Sequence, residues 1–246
     1  MLDVICLGEA VVDLISLDKG VRLRDAERFV KRAGGSPANV AAACSKLGLK
    51  VGFVGKVGSD ELGRFLKGEL AKRGVDVKHL MTSSLKTPLA LVSLDEKGDR
   101  SFEFYGLPSA ALDLRPEELP LNYLREAKLF HFSSFTLAKE PSRSATLEAA
   151  NVAREAGSVV TFDPNFRLGL WESTEEARSV AWKAVELCSV AKMNEEELEL
   201  LTGLELERGV ASLLERGVEV VFVTLGDKGC FYACLLYTSP SPRDRG

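Results

Sequence analysis

The sequence predicts an α/β protein: a mostly parallel sheet with helices on both faces, carrying a small antiparallel sheet as an appendage. Three observations predict it. Short apolar runs alternate with stretches of helical period. Glycine stands just past most of the helical stretches, where a helix ordinarily stops. Two segments break the rhythm, and one of them reads as a hairpin.

Taken in order, Val4-Ile5-Cys6-Leu7 is a buried strand. A helix over 39–47 ends at Gly48, a strand covers 51–54, and a helix over 60–72 ends at Gly74. A strand at 129–132 precedes a helix over 142–156 that ends at Gly157, and a strand follows at 159–162. A helix over 174–187, a strand at 190–193 and a helix over 195–201 ending near Gly203 continue the alternation. A helix over 207–216 ends at Gly217, a strand covers 220–224, and another strand opens at Cys230. Residues 11–31 show no long helical pattern. Residues 89–94 and 100–105 read as two strands joined by the turn-like Asp95-Glu96-Lys97-Gly98-Asp99. Together these segments predict a small sheet projecting from the core as a lid. From about Cys234 onward the chain is rich in Pro, Ser and Arg and has no periodicity. This end resembles the read-through of a synthetic adaptor. Residues 234–246 are therefore expected to be a non-native or disordered tail outside the fold.

At 246 residues, 46% hydrophobic and 28% charged, the chain is long enough for one large domain with an appendage. Its net charge of −4 gives no general reason to bind nucleic acid or an anionic membrane, so an anionic ligand must be held by a few local groups. The cysteines Cys6, Cys44, Cys188, Cys230 and Cys234 show no CxxC spacing and read as thiols of a reducing cytosol. With His79 and His131 the only histidines, a His-based metal site is not expected. There is no leader-like start and no stretch of membrane-spanning length, so the expected location is the cytoplasm.

Five short motifs carry chemistry. Gly8-Glu9-Ala10-Val11-Val12-Asp13 follows the first strand, at the end of the sheet where open α/β folds bind ligands. Asp13 there can accept from two sugar hydroxyls, or be a solvated loop acid. In Ala33-Gly34-Gly35-Ser36-Pro37-Ala38-Asn39, Ser36 suits a helix N-cap and Pro37 the first helical position. The bare backbone of Gly34 and Gly35 admits polar ligand groups, and Asn39 offers a donor and an acceptor. A plain strand-to-helix turn is the alternative. In Asp163-Pro164-Asn165-Phe166-Arg167, Arg167 can pair with a phosphate or with Asp163. Asn194 and Glu197 lie three apart at a helix start, so they can face one way. A carboxylate beside a triphosphate holds Mg²⁺ through water, while glutamates in a first turn also suit the helix dipole. Thr224-Leu225-Gly226-Asp227-Lys228-Gly229 suits backbone contact with a nucleotide, or a tight turn. Neither GxxxxGK[ST] nor GxGxxG occurs.

In this order, from Val4 to about Ala233, the motifs resemble the PfkB family of carbohydrate kinases. Gly55-Lys56-Val57-Gly58-Ser59-Asp60-Glu61-Leu62-Gly63 adds to the likeness. Residues 104–110 and 128–141 are most similar to fructokinases within it. The resemblance implies a ribokinase-like three-layer α/β/α domain over 1–233, with a β lid from about 11–33 and 88–106 that serves homodimerisation. It implies ATP-dependent phosphorylation of a sugar hydroxyl, with ATP and Mg²⁺ as cofactors. Asp13, Gly34, Gly35 and Asn39 would hold the sugar under Phe104, with Arg167 and Lys56 as further contacts. Asn194 and Glu197 would serve the phosphate and metal region, and Thr224, Gly226 and Gly229 the nucleotide. Two departures stand out. Gly106, Leu107 and Ala111 replace the Arg-Asn pair and the Asp usual in fructokinases. No Gly-Ala-Gly-Asp motif, which supplies the family's catalytic base, occurs in 226–246. The chain is therefore expected to lack that base and to be inactive. The alternatives are a kinase of 2-keto-3-deoxygluconate, ribose or a nucleoside, and a non-catalytic sugar-binding protein.

Overall fold

The first apolar run becomes the middle of a sheet. The computed structural model describes residues 2–94 and 100–234. In chain order the elements are β1 (Leu2–Leu7), β2 (Val11–Ser16), β3 (Phe29–Gly34), α1 (Ser36–Lys46), β4 (Val51–Gly58), α2 (Glu61–Lys72), β5 (Asp76–Ser83), β6 (Leu89–Leu94), β7 (Arg100–Tyr105), α3 (Leu121–Leu124), β8 (Ala127–Ser133), α4 (Ser142–Glu155), β9 (Val159–Asp163), α5 (Thr174–Val185), β10 (Val190–Asn194), α6 (Glu195–Thr202), α7 (Leu206–Glu215), β11 (Val220–Thr224) and β12 (Cys230–Cys234). The turn expected at 95–99 and the stretch 235–246 lie outside the described residues.

Among the described residues, eight strands form one sheet in the order β12-β11-β10-β9-β8-β1-β4-β5. Its pairings are parallel except that β12 returns antiparallel to β11. Ile5, Cys6 and Leu7 are completely buried because both faces of β1 are covered, which is why the strand reads as an unbroken apolar run. On one face, Val4, Cys6 and Phe53 pack with Ala38 and Ala41 of α1 and Leu66 and Leu70 of α2. On the other, Ile5, Leu7, Phe130 and Phe132 meet the alanines 145, 149 and 153 of α4, and the same core continues under α5, α6 and α7. The three-layer core matches the expectation. Toward β12 the α1/α2 side of the sheet thins out, and Val159, Phe222 and Tyr232 are exposed there.

A second sheet, β3-β2-β6-β7, forms the lid. Its outer pairs are antiparallel as expected, while β2 and β6 pair parallel. Helix ends follow the glycine signals: Gly48, Gly74, Gly157, Gly203 and Gly217 all adopt positive φ. Asp60 caps α2, its Oδ1 accepting from Gly63 N–H at 2.9 Å. The indole N–H of Trp182 donates to Leu201 O at 3.0 Å and ties α5 to α6, while Trp171 is buried in the same core. Among the described residues no helix is long and apolar enough to cross a membrane.

Candidate active site

Parallel pairing aligns the C-terminal ends of the strands, so the loops that follow them share one edge. Leu7 lies beside Phe132, Ser133 beside Asp163, and Asn194 beside Thr224. This is the edge where open α/β sheets bind ligands. A cavity of about 370 Å³ opens there between lid and core, a volume suited to a small ligand. The lid contributes Val11 and Asp13 from β2, Ala90 from β6 and Phe104 from β7. The core contributes Gly35, Ser36 and Asn39 from the start of α1, Phe135 beyond β8, and Asn165 and Arg167 beyond β9.

The polar wall is organised by burial and close backbone approach. Burial raises the Asp13 carboxyl above its ordinary value, against the pull of Arg167. Gly34 does not line this cavity. A Cβ there would lie 2.0 Å from Asp13 Oδ2, so its bareness makes room for the Asp13 carboxylate. Gly35, at φ 101°, does line it, and a Cβ would lie 2.4 Å from Glu9 O. Ser36 is not the N-cap: the cap is Gly35, which has no side chain to offer, and Ser36 is the first residue of α1. Ser36 N–H instead donates to Glu9 Oε1 at 2.8 Å.

Asp163 is paired with Lys192 at 3.1 Å, and Arg167 lines the cavity while Nη1 donates to Phe166 O at 2.9 Å. Asn165 takes the left-handed region at φ 40°, which asparagine tolerates better than most residues. Phe104 meets Phe135 edge-on at 5.9 Å, giving the cavity an aromatic wall. Lys56 lies elsewhere. It is buried, with Nζ 2.7 Å from Glu118 Oε2 and 3.4 Å from Asp113 Oδ2, and it donates to Asp113 O at 2.9 Å. It pins β4 to the segment that leaves the lid and is not among the residues that line the cavity.

The other half of the edge is more open. Asn194 caps α6, its Oδ1 accepting from Glu197 N–H at 2.7 Å. Glu197 accepts from Asn194 N–H through Oε2 and from Phe166 N–H through Oε1, both at 3.0 Å. Burial raises its carboxyl, and these two bonds oppose the shift. The Asn194–Glu197 pair thus forms a reciprocal capping box that also holds the Arg167 loop. Thr224 sits beside Asn194, its hydroxyl donating to Met193 O at 3.4 Å. Gly226 (φ 63°) and Gly229 (φ 98°) shape the turn between β11 and β12. Among the described residues no group of three or more acidic, His or Cys side chains gathers as a metal site. With both Glu197 oxygens bonded to backbone N–H groups, a divalent cation here would have to be held mainly by polyphosphate and water.

Phe135 was not singled out from the sequence. It follows a strand at the ligand-binding end of the sheet, the same positional signal that marked Asp163.

Fold and cavity define a lidded, open α/β protein with an amphipathic pocket for a small hydroxylated ligand. The chain belongs to the pfkB family of carbohydrate kinases, whose family model matches residues 1–240. A probable fructokinase-4 of Arabidopsis thaliana is 44% identical over 232 residues, which is 93% of this chain and 71% of that protein. The Vibrio cholerae fructokinase, in a form with fructose, ADP and calcium ion bound, superposes with a TM-score of 0.85 at 37% identity, covering 95% of this chain and 74% of that one. The Xylella fastidiosa fructokinase with bound ATP gives 0.85 at 34% identity, covering 96% and 72%.

Proposed function

We propose that the chain is the sugar-binding and partial nucleotide-binding portion of an ATP-dependent fructokinase, comprising a kinase domain over 1–233 with its lid at 11–33 and 88–106. The observation that carries this is the cavity in which Asp13, Asn39 and Arg167 face the aromatic pair Phe104 and Phe135. Polar groups on one wall suit the hydroxyls of a ketohexose, and the apolar rings opposite suit its C–H face. Asp13 accepts from sugar hydroxyls, Asn39 both donates and accepts, and Gly35 leaves its backbone open to close approach. Phe104, carried by the lid, excludes water from the acceptor hydroxyl.

The phosphate side draws on Asn194, Glu197, Thr224, Gly226 and Gly229. Mg²⁺, when bound there, would supply positive charge to neutralise the transferring phosphate. Glu197 orients that region from the capping box, and Arg167 reaches it from the sugar cavity. No Gly-Ala-Gly-Asp motif occurs among the 246 residues. A general base contributes about 10²–10⁴-fold and each oxyanion donor about 10²–10³-fold. The 246-residue chain therefore binds sugar without turning it over. The five free thiols support a reducing, cytoplasmic location. The outer lid strand β7, ending in exposed Tyr105 and followed by exposed Leu107, supports pairing of two copies through the lid.

Calorimetric titration of the purified chain with D-fructose tests the reading. Saturable binding that weakens about 10- to 100-fold in Asp13→Ala is expected. Absence of binding, or binding indifferent to Asp13, would overturn it. Measurable phosphorylation of fructose from ATP by the same chain would sink the statement that the base is missing.

A further inference from the structure

Helix α1 opens with Pro37 in its first turn but without a side-chain cap. Its cap residue is Gly35, no side chain of the cap bonds the first turn, and that turn holds no acidic residue. Backbone N–H groups at such an end need partners from elsewhere. The structure supplies one from a different crossing of the chain. Glu9 is 4% exposed, and its Oε1 accepts from Ser36 N–H at 2.8 Å while its Oε2 accepts from Ser133 Oγ–H at 3.2 Å.

We infer that Glu9 is a positioning residue for the sugar site, holding the first turn of α1, and with it Gly35 and Asn39, in place against the cavity. The inference rests on the proposed sugar-binding role of that cavity. Its geometry is tight on every side. The crossing from β1 to β2 and the crossing from β3 to α1 press together. A Cβ on Gly8 would lie 2.6 Å from Pro37 Cγ, and one on Gly35 would lie 2.4 Å from Glu9 O. Asn39 N–H donates to Gly35 O at 2.9 Å, so the turn that Glu9 holds is the turn that carries Asn39. Both carboxylate oxygens of Glu9 already have protein partners, which separates its role from that of Asp13, whose carboxylate faces the cavity from the lid. A carboxylate at a helix N-terminus also meets the favourable end of the helix dipole. Ser133, at the end of β8, engages the second oxygen, so Glu9, which itself lines the cavity, meets it with both oxygens bonded to protein.

The test uses the full chain as wild type, Glu9→Ala, Glu9→Gln, Asn39→Ala and the Glu9→Ala/Asn39→Ala pair. Two readouts are taken: amide hydrogen exchange of residues 36–40 and the D-fructose dissociation constant. Glu9→Ala is expected to speed exchange at 36–40 at least about ten-fold, and to weaken fructose about ten-fold or more. Glu9→Gln, which keeps an acceptor for Ser36 N–H, restores both to near wild type. In the Asn39→Ala background, Glu9→Ala adds little further loss, because the two act through one turn. Unchanged exchange at 36–40, or a full additive loss in the double variant, overturns the inference. If wild type binds no fructose, the sugar-kinase reading falls, while the exchange readout still decides whether Glu9 holds the turn. If Glu9→Ala does not fold, Ser133→Ala carries the test: faster exchange at 36–40 supports the inference and a flat profile overturns it.

Discussion

Burial raises four carboxyl groups along the ligand-binding edge: Glu9, Asp13, Asp163 and Glu197. For Glu9 the shift reaches about 7 from an ordinary 4.5, with burial outweighing its hydrogen bonds and Arg167. A group whose folded value is raised binds more protons in the folded chain, so its stabilising contribution is complete at low pH and is lost as pH climbs. The stability of wild type relative to Glu9→Gln should therefore fall between pH 4.5 and about 7 and level off above, as read by chemical denaturation at each pH. Gly34 lies against the Asp13 carboxylate. Its substitution by Ala drives a Cβ into Asp13 Oδ2, so Gly34→Ala should displace that carboxylate. Calorimetry should then show weakened fructose binding from a chain that still folds. Asp13, Asn39 and Arg167 were legible through the order of their motifs, since each alone also suits a loop acid, a plain turn or an internal ion pair; all three line the cavity. Gly34 was legible as important but not for its reason, since a glycine's role is set by what its missing side chain would strike. Glu9 was hidden because its partner, Ser36 N–H, comes from a crossing 27 residues away.

The elements that hold the lid are anchored by side chains outside the cavity. Asp60 caps α2 and also accepts from Thr87 N–H at 3.0 Å and Thr87 Oγ–H at 2.7 Å, just before β6 enters the lid. Lys56 grips Asp113 and Glu118 where the chain leaves it. Asp60→Ala should cost about 2 kcal/mol, a lost cap plus lost bonds to Thr87, measured by urea unfolding. Lys56→Ala should cost less than the about 3–5 kcal/mol of a fully buried broken pair, because both carboxylates can turn to water. The regular helices could be placed from the sequence through their apolar spacing and terminal glycines. Strand β5 was missed: it runs along the sheet's outer edge, and Asp76, Lys78 and His79 interrupt its apolar pattern. The parallel pairing of β2 with β6 was likewise unreadable, since the two strands are separated by β3, α1, β4, α2 and β5 and no turn between them fixes a register.

At the scale of the whole molecule, two sheets meet along one crevice, and the chain passes between them at both ends of β2–β3 and of β6–β7. The lid has little core of its own: among the described residues its separate cluster holds Val11, Ala90 and Val92, while buried Val12 packs into the core of the large sheet. The large sheet has two extensive ones. Opening free energies scale with such burial, so amides of β2, β3 and β6 should exchange faster than those of β1, β4 and β8 in native-state hydrogen exchange.

Both tryptophans of the chain, Trp171 and Trp182, stand in the half built from β9, α5 and α6. Ultraviolet emission excited at the indole band is therefore a one-sided signal. It brightens or shifts when that half loosens and stays dark to motion of the lid. A melting curve followed by this light and one followed by far-ultraviolet dichroism should separate whenever the lid lets go first. An optical probe of lid closure has to be installed, for example by Phe104→Trp on β7 facing Phe135.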